Sequence, residues 1–146
     1  EPKQEMKTIH YQVGDSIEGW ADAVRQAVIS KMFGINTDFD YSQVRPKGSL
    51  IKTSGGRAPG PAPLKTCIDR IMDTIDDRVK YGERMSPLVA HDIMCHLADA
   101  VLSGGIRRAA LIALFSIDDQ EMINCKAGSF WEKNAQRQRA NNSAQL

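Results

Sequence analysis

The fold is indicated first by the stretch KTIHYQVGDSIEGWADAVRQAV, residues 7–28. β-Branched and aromatic side chains are frequent over Lys7–Val13, which predicts a strand. Apolar residues then recur at helical spacing over Ile17–Val28 and predict an amphipathic helix. Between the two, Asp15 and Glu18 have the spacing of a capping box, with Asp15 as the predicted cap. A strand followed directly by a helix is typical of α/β folds.

The rest of the chain continues to alternate between strand-like and helix-like segments, so the predicted fold class is α/β. The segment Arg108–Phe115 is apolar at nearly every position, and we expect it to be a strand that is covered on both faces. The other predicted elements are a strand over Tyr41–Arg45, helices over 64–79 and from Ser86 to Gly104, a short helix opening at Asp118, a short helix or turn over Phe130–Arg139, and an extended segment over Asn141–Leu146.

The composition is that of one soluble globular domain, with 146 residues, 25% charged residues and a net charge of +1. This near-balance argues against a protein whose whole surface binds nucleic acid. No secretory leader opens the chain, and its longest uncharged apolar run, Ala109–Ile117, is too short to cross a bilayer. Three cysteines far apart predict a reducing, cytoplasmic location. Because the first residue is Glu1 and not Met, we expect the chain to be part of a longer polypeptide.

The first candidate site is the irregular stretch PKGSLIKTSGGRAPGPAP, residues 46–63. Its prolines and glycines exclude a regular helix or sheet, and the glycines can present backbone N–H groups to an anion. The surrounding region, 41–68, contains no acidic residue but has basic residues at Arg45, Lys47, Lys52, Arg57 and Lys65. These residues alone leave two interpretations open, a phosphate-binding loop and a solvated basic loop.

The second candidate site is SGGIRR, residues 103–108, between a predicted helix and the apolar strand. Gly104 and Gly105 are expected to end the helix and permit backbone movement. Arg107 and Arg108 supply forked donors near a strand end, where ligands of α/β proteins gather. Pairing of these arginines with the acidic helix at 69–77 is the structural alternative.

The cysteines and histidines do not form a persuasive catalytic or metal site. His91 and Cys95 are one helical turn apart, but no matching pair of ligands accompanies them, so partial burial is favoured over metal binding. Cys67 is expected in the core, and Cys125 has no general base near it in sequence. We therefore assign no catalytic residue and no metal.

Three motifs in order resemble a known family. They are GDSIEG at residues 14–19, VRPKGS at 44–49 and GGIRRA at 104–109, and together they resemble the large catalytic chain of ribonucleotide reductases. The stretch TSGGRAPGP, residues 53–61, is most similar to the monomeric, adenosylcobalamin-dependent class II branch. The similarity extends from about His10 onward.

The resemblance implies that residues 1–146 are a single segment of the ten-stranded α/β catalytic barrel, not a free-standing enzyme. It implies that Asp15, with Ser16 beside it, binds the sugar or base of an allosteric deoxynucleotide effector, and that Arg45 binds its phosphates. The first specificity loop would correspond to Gly48–Gly60, with Lys52, Gly55 and Gly56 as contacts. The second would correspond to Ser103–Ala110 and face the ribonucleotide substrate, through Gly104, Gly105, Arg107 and Arg108.

The departures from the family pattern are equally informative. The family motif N-x-C-x-E, which carries the catalytic cysteine, is absent, so reduction by these residues alone is not expected. Adenosylcobalamin is implied for the whole enzyme but not as a ligand of this segment. The implied partners are the remainder of the reductase polypeptide and, for an isolated segment with uncovered strand edges, a second copy of itself. The alternative function is a small stand-alone module that binds phosphate or single-stranded nucleic acid.

Overall fold

The computed structural model describes residues 7–53, 55–103 and 110–146. The chain divides into two compact units, Glu1–Arg84 and Met85–Leu146. Both units combine helices with parallel strand pairs, which confirms the α/β fold class. None of the helices within the described ranges is long and apolar enough to span a bilayer.

The first unit consists of two strand–helix pairs, β1 (Thr8–Gln12), α1 (Ile17–Met32), β2 (Asn36–Asp40) and α2 (Ala62–Arg78). The strands are parallel and in register, with Thr8 opposite Asn36 and Gln12 opposite Asp40. The two helices pack on each other through their apolar faces. The buried side chains of this core include Val13, Ala23, Val24, Ala27, Leu64, Cys67, Ile68, Ile71 and Ile75.

The predicted strand over Tyr41–Arg45 is wrong, because the second strand ends at Asp40. The Asp40 carboxylate accepts a hydrogen bond from the backbone N–H of Ser42 at 2.8 Å, which turns the chain. This bond also lowers the pKa of Asp40. The exposed positions of the strand, NTDFD, are Asn36, Asp38 and Asp40. Asn and Asp are depleted in strands, so the sequence lacks the β-branched and aromatic run that predicts one.

The predicted cap of α1 is also wrong by one residue. Ser16 is the cap, and its hydroxyl oxygen accepts a hydrogen bond from the backbone N–H of Gly19 at 2.9 Å. Serine and aspartate are both favourable at this position, so the sequence did not distinguish them. The consequence is that the carboxylate of Asp15 is not used to cap the helix.

The stretch 46–63 contains a hairpin-like turn. The backbone of Gly48 donates to Ala58, and Leu50 and Arg57 form one isolated antiparallel bridge. Gly60 has a φ of +76°, and a Cβ at this position would lie 2.9 Å from the backbone nitrogen of Lys47. The two ends of the hairpin therefore approach each other more closely than a side chain at residue 60 permits.

The second unit contains a long helix, a parallel strand pair and three short helical segments. Its elements are α3 (Pro87–Ser103), β3 (Leu111–Ser116), α4 (Gln120–Asn124), α5 (Phe130–Lys133), a 3₁₀ helix (Ala135–Arg139) and β4 (Ala140–Gln145). The register of β3 and β4 runs from Leu111 opposite Ala140 to Ser116 opposite Gln145. The predicted Ser86 cap of α3 is confirmed, because its hydroxyl accepts from the backbone N–H of Val89.

The expectation that the apolar strand is covered on both faces is wrong for this chain. Burial alternates along β3, and Ile112 and Leu114 are 61% and 58% exposed. Within the described residues, β3 has one strand neighbour, β4, and the helices of its unit cover a single face. The continuous apolar sequence therefore provides a second apolar face that remains in solvent.

Candidate functional site

Asp15 and Arg45 form an ion pair beyond the carboxyl ends of β1 and β2. Asp15 lies in the turn between β1 and α1, and Arg45 follows the turn after β2. The Nε atom of Arg45 donates to Oδ2 of Asp15 over 2.7 Å. The two strands are paired and parallel, so their ends bring residues 30 positions apart in sequence to one edge of the sheet. This juxtaposition agrees with the sequence-based expectation, whereas nucleotide binding by the pair stays a prediction.

The pair is accessible to a ligand. The side chains of Arg45 and Asp15 are 43% and 30% exposed. Within the described part of the chain, Arg45 hydrogen-bonds through Nε, and a guanidinium carries further donors on its two terminal nitrogens. The carboxylate likewise has lone pairs beyond the one that accepts from Arg45. The pair thus combines donors suited to a phosphate with acceptors suited to hydroxyl or amide groups.

Ser16 is next to Asp15 but its hydroxyl has a structural use, because it caps α1 through Gly19. Gly19 itself is required for a close approach. A Cβ at this position would lie 2.5 Å from the carbonyl oxygen of Gly14. The tight turn between Gly14 and Gly19 fixes the backbone that carries Asp15.

Lys52, Gly55 and Gly56 lie in the turn of the hairpin. Ile51 and Gly56 are joined by a backbone hydrogen bond of 2.8 Å, and Gly55 has a φ of +70°, which favours glycine. Lys52 is exposed. Arg57 donates through NH1 to the carbonyl of Gly48 and stabilises the hairpin. The role of this turn in binding stays a prediction.

The second predicted loop lies largely outside the described residues. Gly104, Gly105, Arg107 and Arg108 all fall there, so their predicted role in substrate choice stays a prediction. The described chain reaches Ser103 at the end of α3 and resumes before Leu111 at the start of β3.

His91 and Cys95 share a buried face of α3, as the favoured interpretation predicted. The Sγ atom of Cys95 lies 3.8 Å from Nδ1 of His91. Burial lowers the pKa of His91, which keeps the ring neutral near pH 7, and burial together with Asp92 raises the pKa of Cys95 to about 11. Among the described residues, no group of three or more His, Cys, Asp or Glu side chains could hold a metal ion. Cys67 and Cys125 are also buried free thiols.

A buried ion pair in the second unit was not predicted from the sequence. Arg137 donates through Nε and NH2 to both carboxylate oxygens of Asp92, over 2.8 and 2.9 Å, and through NH1 to the carbonyl of Cys125. Asp92 is 0% exposed and Arg137 is 8% exposed. Hydrogen bonding to Asp92 raises the pKa of Arg137. The one available sequence signal was an acidic residue within the apolar stripe of α3, and nothing in the sequence identified its partner.

Comparison with known proteins identifies the family to which this chain belongs. Residues 1–75 match the family described as "B12-dependent ribonucleotide reductase, insertion domain". The chain belongs to the B12-dependent ribonucleotide reductases. A crystal structure of a B-12-dependent (class II) ribonucleotide reductase is similar over 99% of this chain, with a TM-score of 0.80 and 31% sequence identity. The chain covers 20% of that structure.

Individual relatives of this B12-dependent reductase chain support the same family. The adenosylcobalamin-dependent ribonucleoside-triphosphate reductase of Lactobacillus delbrueckii subsp. bulgaricus is 34% identical in an alignment 129 residues long, which covers 84% of this chain and 17% of the relative. The enzyme of the same name from Euglena gracilis is 29% identical in an alignment 130 residues long, which covers 86% of this chain and 17% of the relative. The chain therefore spans about a sixth of the length of these relatives.

The comparisons confirm the resemblance to the class II branch and the α/β fold of a section of that enzyme. The match to an insertion domain covers the first half of the chain. The expectation that all 146 residues form one segment of the catalytic barrel stays a prediction.

Proposed function

We propose that this chain is part of an adenosylcobalamin-dependent ribonucleotide reductase, in which it binds a deoxynucleotide effector and helps to select the ribonucleotide substrate. The relatives are named as adenosylcobalamin-dependent ribonucleoside-triphosphate reductases, which supports conversion of ribonucleotides to 2′-deoxyribonucleotides by the whole polypeptide. The match over most of the chain favours this function over a stand-alone module that binds phosphate or single-stranded nucleic acid. We expect the enzyme to act in the cytoplasm in deoxyribonucleotide biosynthesis for DNA replication.

The observation that carries the effector proposal is the ion pair of Asp15 and Arg45. In the proposed complex, the terminal nitrogens of Arg45 donate to the effector phosphates. The carboxylate of Asp15 accepts from the sugar or base and holds the guanidinium through Nε, which fixes the direction of the remaining donors. One pair thereby contacts both ends of the same small nucleotide.

Positive charge beside this pair supports an anionic ligand. Lys47, Lys52 and Arg57 lie in the hairpin that follows Arg45, and no acidic residue occurs from Tyr41 to Ile68. Exposed ammonium groups on such a loop attract phosphate through the local potential. We propose Lys52, together with the backbone of Gly55 and Gly56, as an additional contact of the effector.

Selection of the substrate is proposed to pass through residues 103–110. A bound effector stabilises one conformation of this segment, and that conformation offers Arg107 and Arg108 to one substrate base. Coupling of about 1–3 kcal/mol, typical of allosteric systems, corresponds to discrimination of about 5- to 150-fold. Such coupling changes which ribonucleotide is reduced and leaves the chemistry to other parts of the polypeptide.

We propose that other parts of the polypeptide carry the radical chemistry, because the N-x-C-x-E motif is absent from this sequence. The three cysteines are buried, and the raised pKa of Cys95 keeps its thiol protonated. No described cluster of His, Cys, Asp or Glu side chains fits a metal. The names of the relatives support adenosylcobalamin as the cofactor of the whole enzyme, and we propose that the remainder of the polypeptide provides its site. An isolated segment is expected to be inactive and to self-associate through uncovered strands.

The test is effector binding by the full-length reductase and its Arg45→Ala variant. We expect the dissociation constant for a deoxynucleoside triphosphate to rise about 10- to 100-fold, because a charge-assisted contact is lost. Lys65→Ala is the matched control, since its ammonium pairs with Asp69 on the exposed face of α2 over 2.7 Å. Equal affinities for Arg45→Ala and the wild type would contradict the proposed site.

A further inference from the structure

Asp40, the last residue of β2, contacts the two chain segments that lead to Asp15 and Arg45. Its backbone carbonyl accepts a hydrogen bond of 2.9 Å from the N–H of Val13, which lies two residues before Asp15. Its side-chain Oδ1 accepts one of 2.8 Å from the N–H of Ser42, which lies three residues before Arg45. One residue is therefore bonded to both segments that carry the candidate effector site.

The backbone contact fixes the end of β1. Asp40 is the register partner of Gln12, and the hydrogen bond from Val13 extends the pairing of the two strands by one residue. The side chain of Val13 is fully buried, with an exposed fraction of 0%. The backbone that leads into Asp15 is thus held both by packing in the core and by β2.

The side-chain contact shapes the turn that leads to Arg45. An aspartate that accepts from the backbone two residues ahead forms an Asx turn, which mimics a backbone turn. Directly after it, the N–H of Val44 donates to the carbonyl of Tyr41 over 3.0 Å, and the side chain of Val44 is buried. Arg45 is the next residue, so the direction in which its side chain leaves the backbone depends on this turn.

The charge of Asp40 does not by itself favour an anionic ligand. Its side chain is exposed, and hydrogen bonds from the backbone and the hydroxyl of Ser42 hold the pKa of this carboxyl below its usual value. The group is therefore ionised at neutral pH. A negative charge at the same end of the sheet as Arg45 opposes the binding of a phosphate. Any favourable contribution of Asp40 to effector binding must come from its hydrogen bonds.

We infer that Asp40 is a positioning residue for effector binding. This inference rests on the proposed effector site. Through its two hydrogen bonds, Asp40 holds Asp15 and Arg45 at the separation at which their side chains meet. Asp40 touches no part of the effector in this role. Loss of its side-chain acceptor widens the range of orientations of Arg45 and lowers the fraction of molecules that are ready to bind.

The experiment measures the dissociation constant of a deoxynucleoside triphosphate for the full-length reductase. We expect Asp40→Ala, which lacks the acceptor, to raise this constant about three- to tenfold. Asp40→Glu should have a similar effect, because the longer side chain keeps the charge but not the Asx turn. Asp40→Asn keeps the acceptor without the charge, so its affinity should equal or exceed that of the wild type. The midpoint of thermal unfolding should stay near the wild-type value in all three variants.

Asp38→Ala is the matched control. Asp38 lies on the same exposed face of β2, and its carboxylate is 3.3 Å from Nδ1 of His10. This variant removes the same charge but leaves the turn intact, so its affinity should equal or exceed that of the wild type. In an Arg45→Ala background, Asp40→Ala should cause no further loss of affinity, because Asp40 acts through Arg45.

An unchanged or tighter affinity in Asp40→Ala overturns the inference and leaves the proposed site standing. An equal loss in Asp40→Asn, or an additive loss in the double variant, does the same. If Asp40→Ala does not fold, Asp40→Glu and Asp40→Asn provide the same contrast, and wild-type affinity in Asp40→Glu overturns the inference. If Arg45→Ala binds the deoxynucleotide as tightly as the wild type, the proposed site and the inference are both overturned.

Discussion

Asp15 and Arg45 are 30 residues apart in sequence and 2.7 Å apart in space, at the carboxyl ends of two adjacent parallel strands. The pairing depends on the one-residue shift of the helix cap. Because Ser16 caps α1, the carboxylate of Asp15 turns toward Arg45 and not toward the helix N-terminus. The same two residues are those to which the family resemblance assigns the effector.

Removal of the Asp15 carboxylate should weaken effector binding but not the binding of inorganic phosphate. In Asp15→Ala, the sugar or base loses its acceptor, while Arg45 is released from its ion pair. We expect the dissociation constant of the deoxynucleotide to rise about tenfold and that of phosphate to stay equal or fall. Calorimetric titration of the full-length protein measures both. Parallel losses for the two ligands would show that Asp15 only orients Arg45.

Loss of one partner of the buried ion pair should destabilise the second unit strongly. Arg137→Ala leaves Asp92 buried and uncompensated, at an expected cost of about 3–5 kcal/mol in the free energy of unfolding. The combined replacement of both residues, Asp92→Leu with Arg137→Met, should cost less than Arg137→Ala alone. Urea unfolding provides the comparison. A double variant less stable than the single one would show that the pair contributes more than its desolvation cost.

The buried thiol of Cys95 should respond to pH in a defined direction. Its pKa rises from 9.0 to about 11 because burial disfavours the thiolate. The unfolded chain ionises first, so the contribution of Cys95 to the free energy of unfolding should be constant below about pH 8 and should fall between pH 9 and 11. Alkylation by iodoacetamide at pH 8 should be slow in the folded protein and fast in urea. Fast labelling of the folded protein would contradict the burial.

The helix cap offers a paired stability test. Ser16→Ala removes the acceptor for the backbone N–H of Gly19 and should cost about 1 kcal/mol in the free energy of unfolding. Ser129→Ala is the control, since Ser129 precedes α5 without a side-chain capping bond. Thermal unfolding should separate the two variants. Equal losses of stability in Ser16→Ala and Ser129→Ala would indicate that the hydrogen bond from Gly19 to Ser16 contributes less than expected.

The strongly patterned elements were predictable from the sequence. The helical spacing of apolar residues predicted the ends of α1 and α2 to within a few residues, and the Ser86 cap predicted the start of α3. The motifs around Asp15 and Arg45 were also sufficient to indicate the family. By contrast, β2 was missed because its exposed positions are asparagine and aspartate, and local preferences do not show that a neighbouring strand will pair with it.

The sequence by itself determined the α/β alternation, the family and the identity of the two residues at the candidate site. These properties follow from short-range periodicity and from motifs that lie within a few residues of each other. The tertiary structure decided which charges meet. Asp92 with Arg137 and Asp99 with Arg139 are each separated by 40 residues or more. Ion pairs of this kind depend on which helices and strands pack together in the tertiary structure. Local sequence patterns do not predict that packing.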